Sequence, residues 1–203
     1  MKESILIVDF GSQVTKLIAR RVRELGVFSQ ILPFNEISKK ALLKHNTKGI
    51  IFSGGPKSVN EKNSPRVSSI IYKQNIPILG ICYGLQLIAN EFGGKVMLSN
   101  EREFGKANII LKKSSILTEN VFSLKEKKQV WMSHSDKILK IPKGFEGLAS
   151  SENCEFAIIQ NIKKQIFGVQ FHPEVVHTIG GTEILKNFVR TICNCKSQWN
   201  MNI

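Results

Sequence analysis

The sequence predicts an α/β protein: a three-layer sandwich with a central, mainly parallel sheet, helices on both faces, and antiparallel strands added in the C-terminal half. Three observations carry that reading. Short apolar runs alternate with helical periodicity through residues 4–92, the pattern of a parallel sheet built from β-α units. After residue 95 the apolar runs continue with no helix between them, which fits antiparallel pairing. The 203 residues, 42% of them hydrophobic, suffice for one core, and no repeat, low-complexity segment or linker divides them.

"SILIVDF" (4–10) reads as a strand ending at Gly11-Ser12, a turn with N-cap chemistry. Val14, Leu17, Ile18, Val22 and Leu25 then recur at roughly helical spacing over 13–25, with Arg20, Arg21 and Arg23 outward and Gly26 as the stop. "VFSQILPF" is a second strand, 36–45 a weaker helix, and "GIIFSGG" (49–55) a third strand running into a glycine turn. A helix is expected over 65–74, a fourth strand at "IPILGI" (76–81), and a helix over 83–92 closed by Gly93-Gly94. "GKVMLS", "KANIILKK", "QVWMS", "FEGLASS", "EFAIIQN" and "QIFGVQF" are short strand candidates, and a final helix covers about 181–193.

The formal net charge of +13 invites a nucleic-acid reading. The lysines, however, are scattered in pairs (39–40, 112–113, 127–128, 163–164), and only two Trp and two Tyr are available for base stacking. A lysine-rich solvated surface is the reading preferred, with attraction for anionic substrates or an acidic partner as the alternative. No apolar run is long enough to span a bilayer, and Glu3 and Asp9 stand where a signal peptide would be apolar. Four cysteines at 82, 154, 193 and 195 lack disulfide-framework spacing, so a reduced cytoplasmic protein is expected, with neither membrane nor nucleic acid as partner.

The stretch "PILGICYGLQ" (77–86) puts Cys82 between Gly80 and Gly84, where a strand stops and a helix starts. That is the nucleophile-elbow pattern with cysteine in place of serine. Ligand sites of parallel sheets lie beyond the strands' carboxyl ends, and the helix N-terminus favours a thiolate there. A buried cysteine at an ordinary βα turn is the alternative. "VQFHPEVVH" (169–177) offers a base, because His172 follows the end of another apolar strand and Glu174 stands two residues on. Alternate residues of an extended segment point the same way, so a Glu174 carboxylate could fix the His172 tautomer and leave its other nitrogen for the thiol. The competing reading is a loop histidine beside a surface glutamate. Oxyanion donors are expected at the N–H of Tyr83 and in "SGGPKS" (53–58), at Gly55. An ATP-type phosphate loop is disfavoured there by Pro56-Lys57. No metal is expected, since Cys193-x-Cys195 and the pair His172 and His177 are isolated. Cys193 reads as a core residue and Cys154 as a turn residue without an evident partner.

"GGP", "GICYGLQ" and "QFHPE", in this order, resemble the class I (triad) glutamine amidotransferases over roughly residues 4–199. "VDFGSQVTKLIARRVRELGV", "SGGPKSV", "SNEREFGKA", "WMSHSDK" and "HPEVVHT" narrow the likeness to amidotransferase domains of the bacterial GMP-synthetase type. The resemblance implies a flavodoxin-like sandwich, with 1–203 a single glutaminase domain. Catalysis falls to Cys82, His172 and Glu174, and the oxyanion hole to Gly55 and Tyr83. Gly54, Gln86, and the backbone of Ser133, His134 and Ser135 are implied as substrate contacts. It implies L-glutamine as substrate and ammonia passed to a synthetase that aminates XMP to GMP. No cofactor is implied here: ATP and magnesium belong to an ATP-pyrophosphatase domain or subunit, which with a dimerisation domain is not expected within this chain. Oligomers would form through those other domains. Arg20, Arg21, Arg23, Arg102, Glu103 and His177 are candidate docking residues. Alternatives are delivery to a different acceptor, or a catalytically silent regulatory domain of the same fold.

Overall fold

The innermost strands are apolar runs buried on both faces, as parallel strands covered by helices must be. They are β1 (Ser4–Asp9), β3 (Thr47–Phe52) and β4 (Ile78–Ile81), with β2 (Phe28–Pro33) at the edge. The structure, a computed structural model, describes residues 1–196; the expected likeness from 197 onward lies outside the described residues. Helices α1 (Thr15–Glu24) and α4 (Gly181–Lys186) cover one face, where Ile18, Val22, Ile184 and Leu185 pack on Ile5, Ile7, Ile51 and Ile81. Helices α2 (Lys39–Lys44) and α3 (Tyr83–Glu91) cover the other, with Leu42, Leu85 and Ile88 against Leu6, Val8, Ile50 and Phe52. Alternate side chains of one strand thus feed two cores.

The remaining strands are β5 (Lys95–Leu111), β6 (Lys127–Lys140), β7 (Glu146–Ser151), β8 (Ile158–Asn161) and β9 (Ile166–Val169). All nine form one sheet in the order β2-β1-β3-β4-β9-β8-β7-β5-β6. The first five positions are mutually parallel and the last four join antiparallel. The parallel part repeats the flavodoxin-like order, with β9 as its fifth strand. The expected sandwich is therefore present, and β9 lies directly beside β4.

Several elements differ from expectation. The helix expected over 65–74 is a 3₁₀ segment, Ser69–Lys73, capped by Ser68. Paired serines that bond their own backbone and two β-branched isoleucines weaken an α-helix here, and Asn75 at φ 55° ends the segment. The helix expected over 36–45 splits into a 3₁₀ turn at Phe34–Glu36 and α2, which Ser38 caps. The final helix is α4 followed by a π-helical segment, Asn187–Ile192. "GKVMLS" and "KANIILKK" are two ends of one strand, β5, whose pairing with β6 slips between Leu98 and Glu103. Among the described residues no helix is long and apolar enough to cross a membrane.

The β4–α3 junction is packed backbone against backbone. A Cβ on Gly80 would lie 2.6 Å from the backbone of Gly84, and one on Gly84 2.6 Å from Phe52 Cβ and carbonyl oxygen. In a helix alanine is ordinarily favoured over glycine by up to about 1 kcal/mol. Gly84→Ala is expected to act in the opposite sense, lowering urea-unfolding stability by about 1–3 kcal/mol through overpacking against β3. A variant as stable as the native chain would contradict this packing.

Candidate active site

Cys82 occupies the single residue between β4 and α3, at φ 53°, ψ −107°. The backbone there is left-handed, a region a non-glycine residue enters only when its surroundings over-determine it. They do so twice: Cys82 N–H donates to Val169 O (2.9 Å), and Cys82 O accepts Gln86 N–H (3.2 Å) in the first turn of α3. The sulfur leaves the sheet at the carboxyl end of β4. Tyr83 opens α3, so its N–H belongs to the set that has no intrahelical acceptor.

His172 arrives from the end of β9. Its N–H donates to Trp131 O (3.0 Å), and Thr178 Oγ1 links His172 O (2.6 Å) to Trp131 N (2.9 Å), pinning the loop to β6. The ring Nδ1 meets Glu174 Oε1 at 2.6 Å, both groups buried. Cys82 and His172 converge, since a Cβ on Gly54 would sit 3.6 Å from Cys82 Cβ and 3.1 Å from His172 Cε1. Glycine at 54 keeps that space open. Burial disfavours a charged His172 ring. Hydrogen bonds with Cys82 and Glu174 and the charges of both outweigh it, pushing the ring from the ordinary 6.5 up to about 10.

A cavity of about 420 Å³ opens beside the sulfur, lined among others by Gly55, Cys82, Tyr83, Gln86, Ser133 and Ser135. His134, Lys57 and Arg102 also line it. A second of about 340 Å³ lies on the His172 side and shares Gly55, Cys82 and Ser133. The sulfur therefore stands between a roomy pocket and its base. A larger cavity of about 580 Å³ along β5 and β7 contains neither Cys82 nor His172. Gly55 packs so closely that a Cβ would meet Phe10 O at 2.5 Å. Gln86 Nε2 donates to Asp136 O (2.9 Å) and Gln170 Oε1 (3.3 Å), leaving its own Oε1 as the group for a ligand. All ten site residues expected from the sequence thus gather around the sulfur, though His134 turns its ring inward.

That ring bonds Asp136 O through Nδ1 (2.8 Å) and Glu103 Oε1 through Nε2 (3.1 Å), while Ser151 Oγ donates to both Glu103 oxygens. Glu103 is thus a buried strut, not the docking residue expected. Cys154 is also buried rather than in an open turn, and burial pushes its thiol up to about 12. Among the described residues, Glu103, His134 and Cys154 form the one group with metal-ligand character, their ligand atoms within 4.8 Å of one another. Here Glu103 and His134 satisfy each other directly. Cys193 and Cys195 are buried and free.

The sequence reading missed three residues. Gln170, fully buried, directs Nε2 to Cys82 Sγ at 3.7 Å. Arg21 is half-buried rather than outward: its Nε donates to Glu174 O (3.0 Å) while its Nη1 pairs with Glu24. Thr178 holds the His172 loop as described. Gln170 precedes His172 by two residues and was legible by alternation; the other two depend on tertiary partners. Arg20, Arg23, Arg102 and His177 are exposed.

Residues 6–192 match the family profile of the class-I glutamine amidotransferases. The chain is 51% identical over 200 residues to the GMP synthase [glutamine-hydrolyzing] of Staphylococcus carnosus, covering 98% of this chain and 38% of that one. It thus spans well under half the length of such curated relatives. The crystal structure of a Thermoplasma acidophilum protein, described as one subunit of a GMP synthase, superposes with a TM-score of 0.85 at 36% identity, covering 96% of this chain and 95% of its own. A glutamine amidotransferase from Thermotoga maritima, at 19% identity and TM-score 0.70 over 96% of this chain and 84% of its own, shares the fold.

The His172 ring binds its proton more tightly folded, at about 10 against an ordinary 6.5, than unfolded. Its contribution to stability is therefore complete below the unfolded value and is lost as pH rises through the folded one. Urea midpoints of the native chain and His172→Asn are expected to differ more at about pH 6 than at about pH 10. An equal difference at both would mean that Cys82 and Glu174 do not hold the proton there.

Proposed function

The chain belongs to the class I glutamine amidotransferase family, and on that premise we propose that it hydrolyses the side-chain amide of L-glutamine at Cys82. The observation that carries the proposal is the convergence of Cys82 with a buried His172–Glu174 pair 2.6 Å apart.

The Cys82 sulfur attacks the carboxamide carbon, and the oxyanion rests on N–H groups of Gly55 and Tyr83. His172, whose charged form the site favours, gives its proton to the departing ammonia. A γ-glutamyl thioester remains. The now neutral ring takes a proton from water, the hydroxide adds to the acyl carbon, and glutamate leaves as the C–S bond breaks. Glu174 holds the ring in the required orientation throughout. Gln86 Oε1 and carbonyls of 133–135 suit the substrate ammonium, and Lys57 and Arg102, which line the same cavity, suit its carboxylate.

The 51% identity to glutamine-hydrolysing GMP synthase supports GMP synthesis as the destination of the ammonia. We assign amination of XMP, with its ATP and magnesium, to a synthetase domain or subunit outside the described residues, and the reaction to the cytoplasm. The Thermoplasma acidophilum protein, matched over 95% of its chain, supports an amidotransferase unit of this size.

Cys82→Ala is expected to lower glutamine hydrolysis by more than about 10³-fold and to abolish labelling by a diazo-ketone glutamine analogue. With the synthetase supplied, the variant should retain ammonia-dependent GMP formation and lose only the glutamine-dependent rate. Unchanged glutaminase activity would remove Cys82 as the nucleophile, and ammonia delivery to a different synthetase would remove the GMP assignment.

A further inference from the structure

Gln170 is a polar residue in contact with the sulfur that the reaction above leaves unused. It is fully buried, one residue past the end of β9, where its backbone N–H donates to Ala157 O at 2.8 Å. Nothing at the surface explains an amide in this position. Its orientation is fixed by its neighbour: Gln86 Nε2 gives one hydrogen to Asp136 O and the other to Gln170 Oε1. With that carbonyl engaged, the Gln170 Nε2 hydrogens can only point away from it, and one meets Cys82 Sγ at 3.7 Å.

The sulfur has an opposing neighbour. Ser133 O lies 3.4 Å away, an acceptor that favours the protonated thiol and repels a thiolate. The Gln170 donor offsets it. Thiolate is a strong acceptor and a thioester sulfur a feeble one, so an N–H here contributes most when the sulfur carries charge. In the proposed cycle that happens before attack and again when the C–S bond of the second tetrahedral intermediate breaks and its electron pair returns to sulfur.

We infer that Gln170 is a further catalytic residue, whose buried amide donates to Cys82 Sγ and speeds expulsion of the thiolate from the γ-glutamyl thioester. The inference rests on the glutaminase reading for the thioester step, but not for the contact itself. Two variants keep the shape of the site: Gln170→Met removes the donor, and Gln170→Glu keeps the acceptor for Gln86 while placing an anion at the sulfur.

The first assay needs no glutamine. Iodoacetamide alkylation of Cys82 in the full chain, followed across pH by peptide mass spectrometry, should shift its midpoint upward by about half to one pH unit in Gln170→Met. The shift should be larger in Gln170→Glu, which carries the test alone if the methionine variant fails to fold. The second assay quenches turnover with acid and measures thioester on Cys82. Slower deacylation should raise thioester occupancy and lower kcat and KM together by about five- to tenfold. Alkylation profiles superimposable on that of the native chain in a folded variant overturn the inference, and so does unchanged thioester occupancy. A native chain that neither hydrolyses glutamine nor forms a thioester would sink the glutaminase reading instead, while the alkylation shift would still report the Gln170–Cys82 contact.

Discussion

The left-handed backbone at Cys82 is the constraint on which the rest of the site depends. Holding a non-glycine residue there costs on the order of 1–3 kcal/mol, and a β-strand that fed α3 through an ordinary loop would avoid the cost. It would also place the sulfur elsewhere. With φ at 53°, strand passes to helix across one residue, and the side chain leaves the sheet where the first turn of α3 begins. That geometry forces the helix against its own strand and against β3, which is why Cβ atoms at 80 and 84 would collide with backbone. Three residue identities follow from one turn: glycine where the chain touches itself twice, and a reactive side chain where it does not.

The turn is also where the two halves of the chain meet. Residues 95–161 make an antiparallel excursion before β9 returns to lie beside β4. Cys82 N–H then bonds Val169 O, so a ladder-like hydrogen bond, rather than a flexible loop, sets the distance between the sulfur and the histidine three residues on. The electrostatics depend on the same closeness. Burial alone would empty the His172 ring of its proton, yet partners on both sides reverse the sign because low-dielectric surroundings strengthen each of those contacts. Glu174 in turn is held by its backbone, through Arg21 of α1.

The sequence made the parallel half of the fold readable because its signals are local. Ile5–Val8, Ile50–Phe52 and Ile78–Ile81 are uninterrupted apolar runs, and each is followed within a few residues by glycine or a capping residue. The reading failed where local preference was weak or where a pairing partner decided the outcome. Residues 65–74 have an apolar rhythm, but serine, β-branched residues and a left-handed Asn75 make it a 3₁₀ segment. "SNEREFG" looks like a turn because its charges interrupt the apolar pattern, whereas β6 keeps it inside β5. The elbow and the histidine–glutamate pair were visible because each lies within a few consecutive residues. The buried roles of Glu103, Arg21 and Thr178 were not readable, because each comes only from residues distant in sequence, whereas Gln170 could have been found by its alternation with His172.

The slip in β5 that disguised a strand also builds one wall of the pocket. Leu98 stands opposite Asp136 and Glu103 opposite His134, so the four residues between them on β5 face Ser135 alone. A bulge of this kind bends its strand and leaves ladder groups unpaired. Here Ser99 secures it, its hydroxyl donating to Glu101 O at 2.7 Å and accepting Glu101 N–H at 3.1 Å. The bulge carries Arg102, which lines the cavity together with Ser133, His134 and Ser135. From there, His134 reaches inward to Glu103 at the bulge's far end, joining the two strands where their ladder is interrupted. Asp136 O receives both His134 Nδ1–H and Gln86 Nε2–H, so the buried strut and the pocket's amide share one acceptor. A polar core of this kind is an expensive way to hold two strands together; an apolar pair would do it more cheaply. Its use behind the pocket is accounted for if β6 must stay fixed in position beside a bulge, where the ladder to β5 is interrupted and cannot hold it alone.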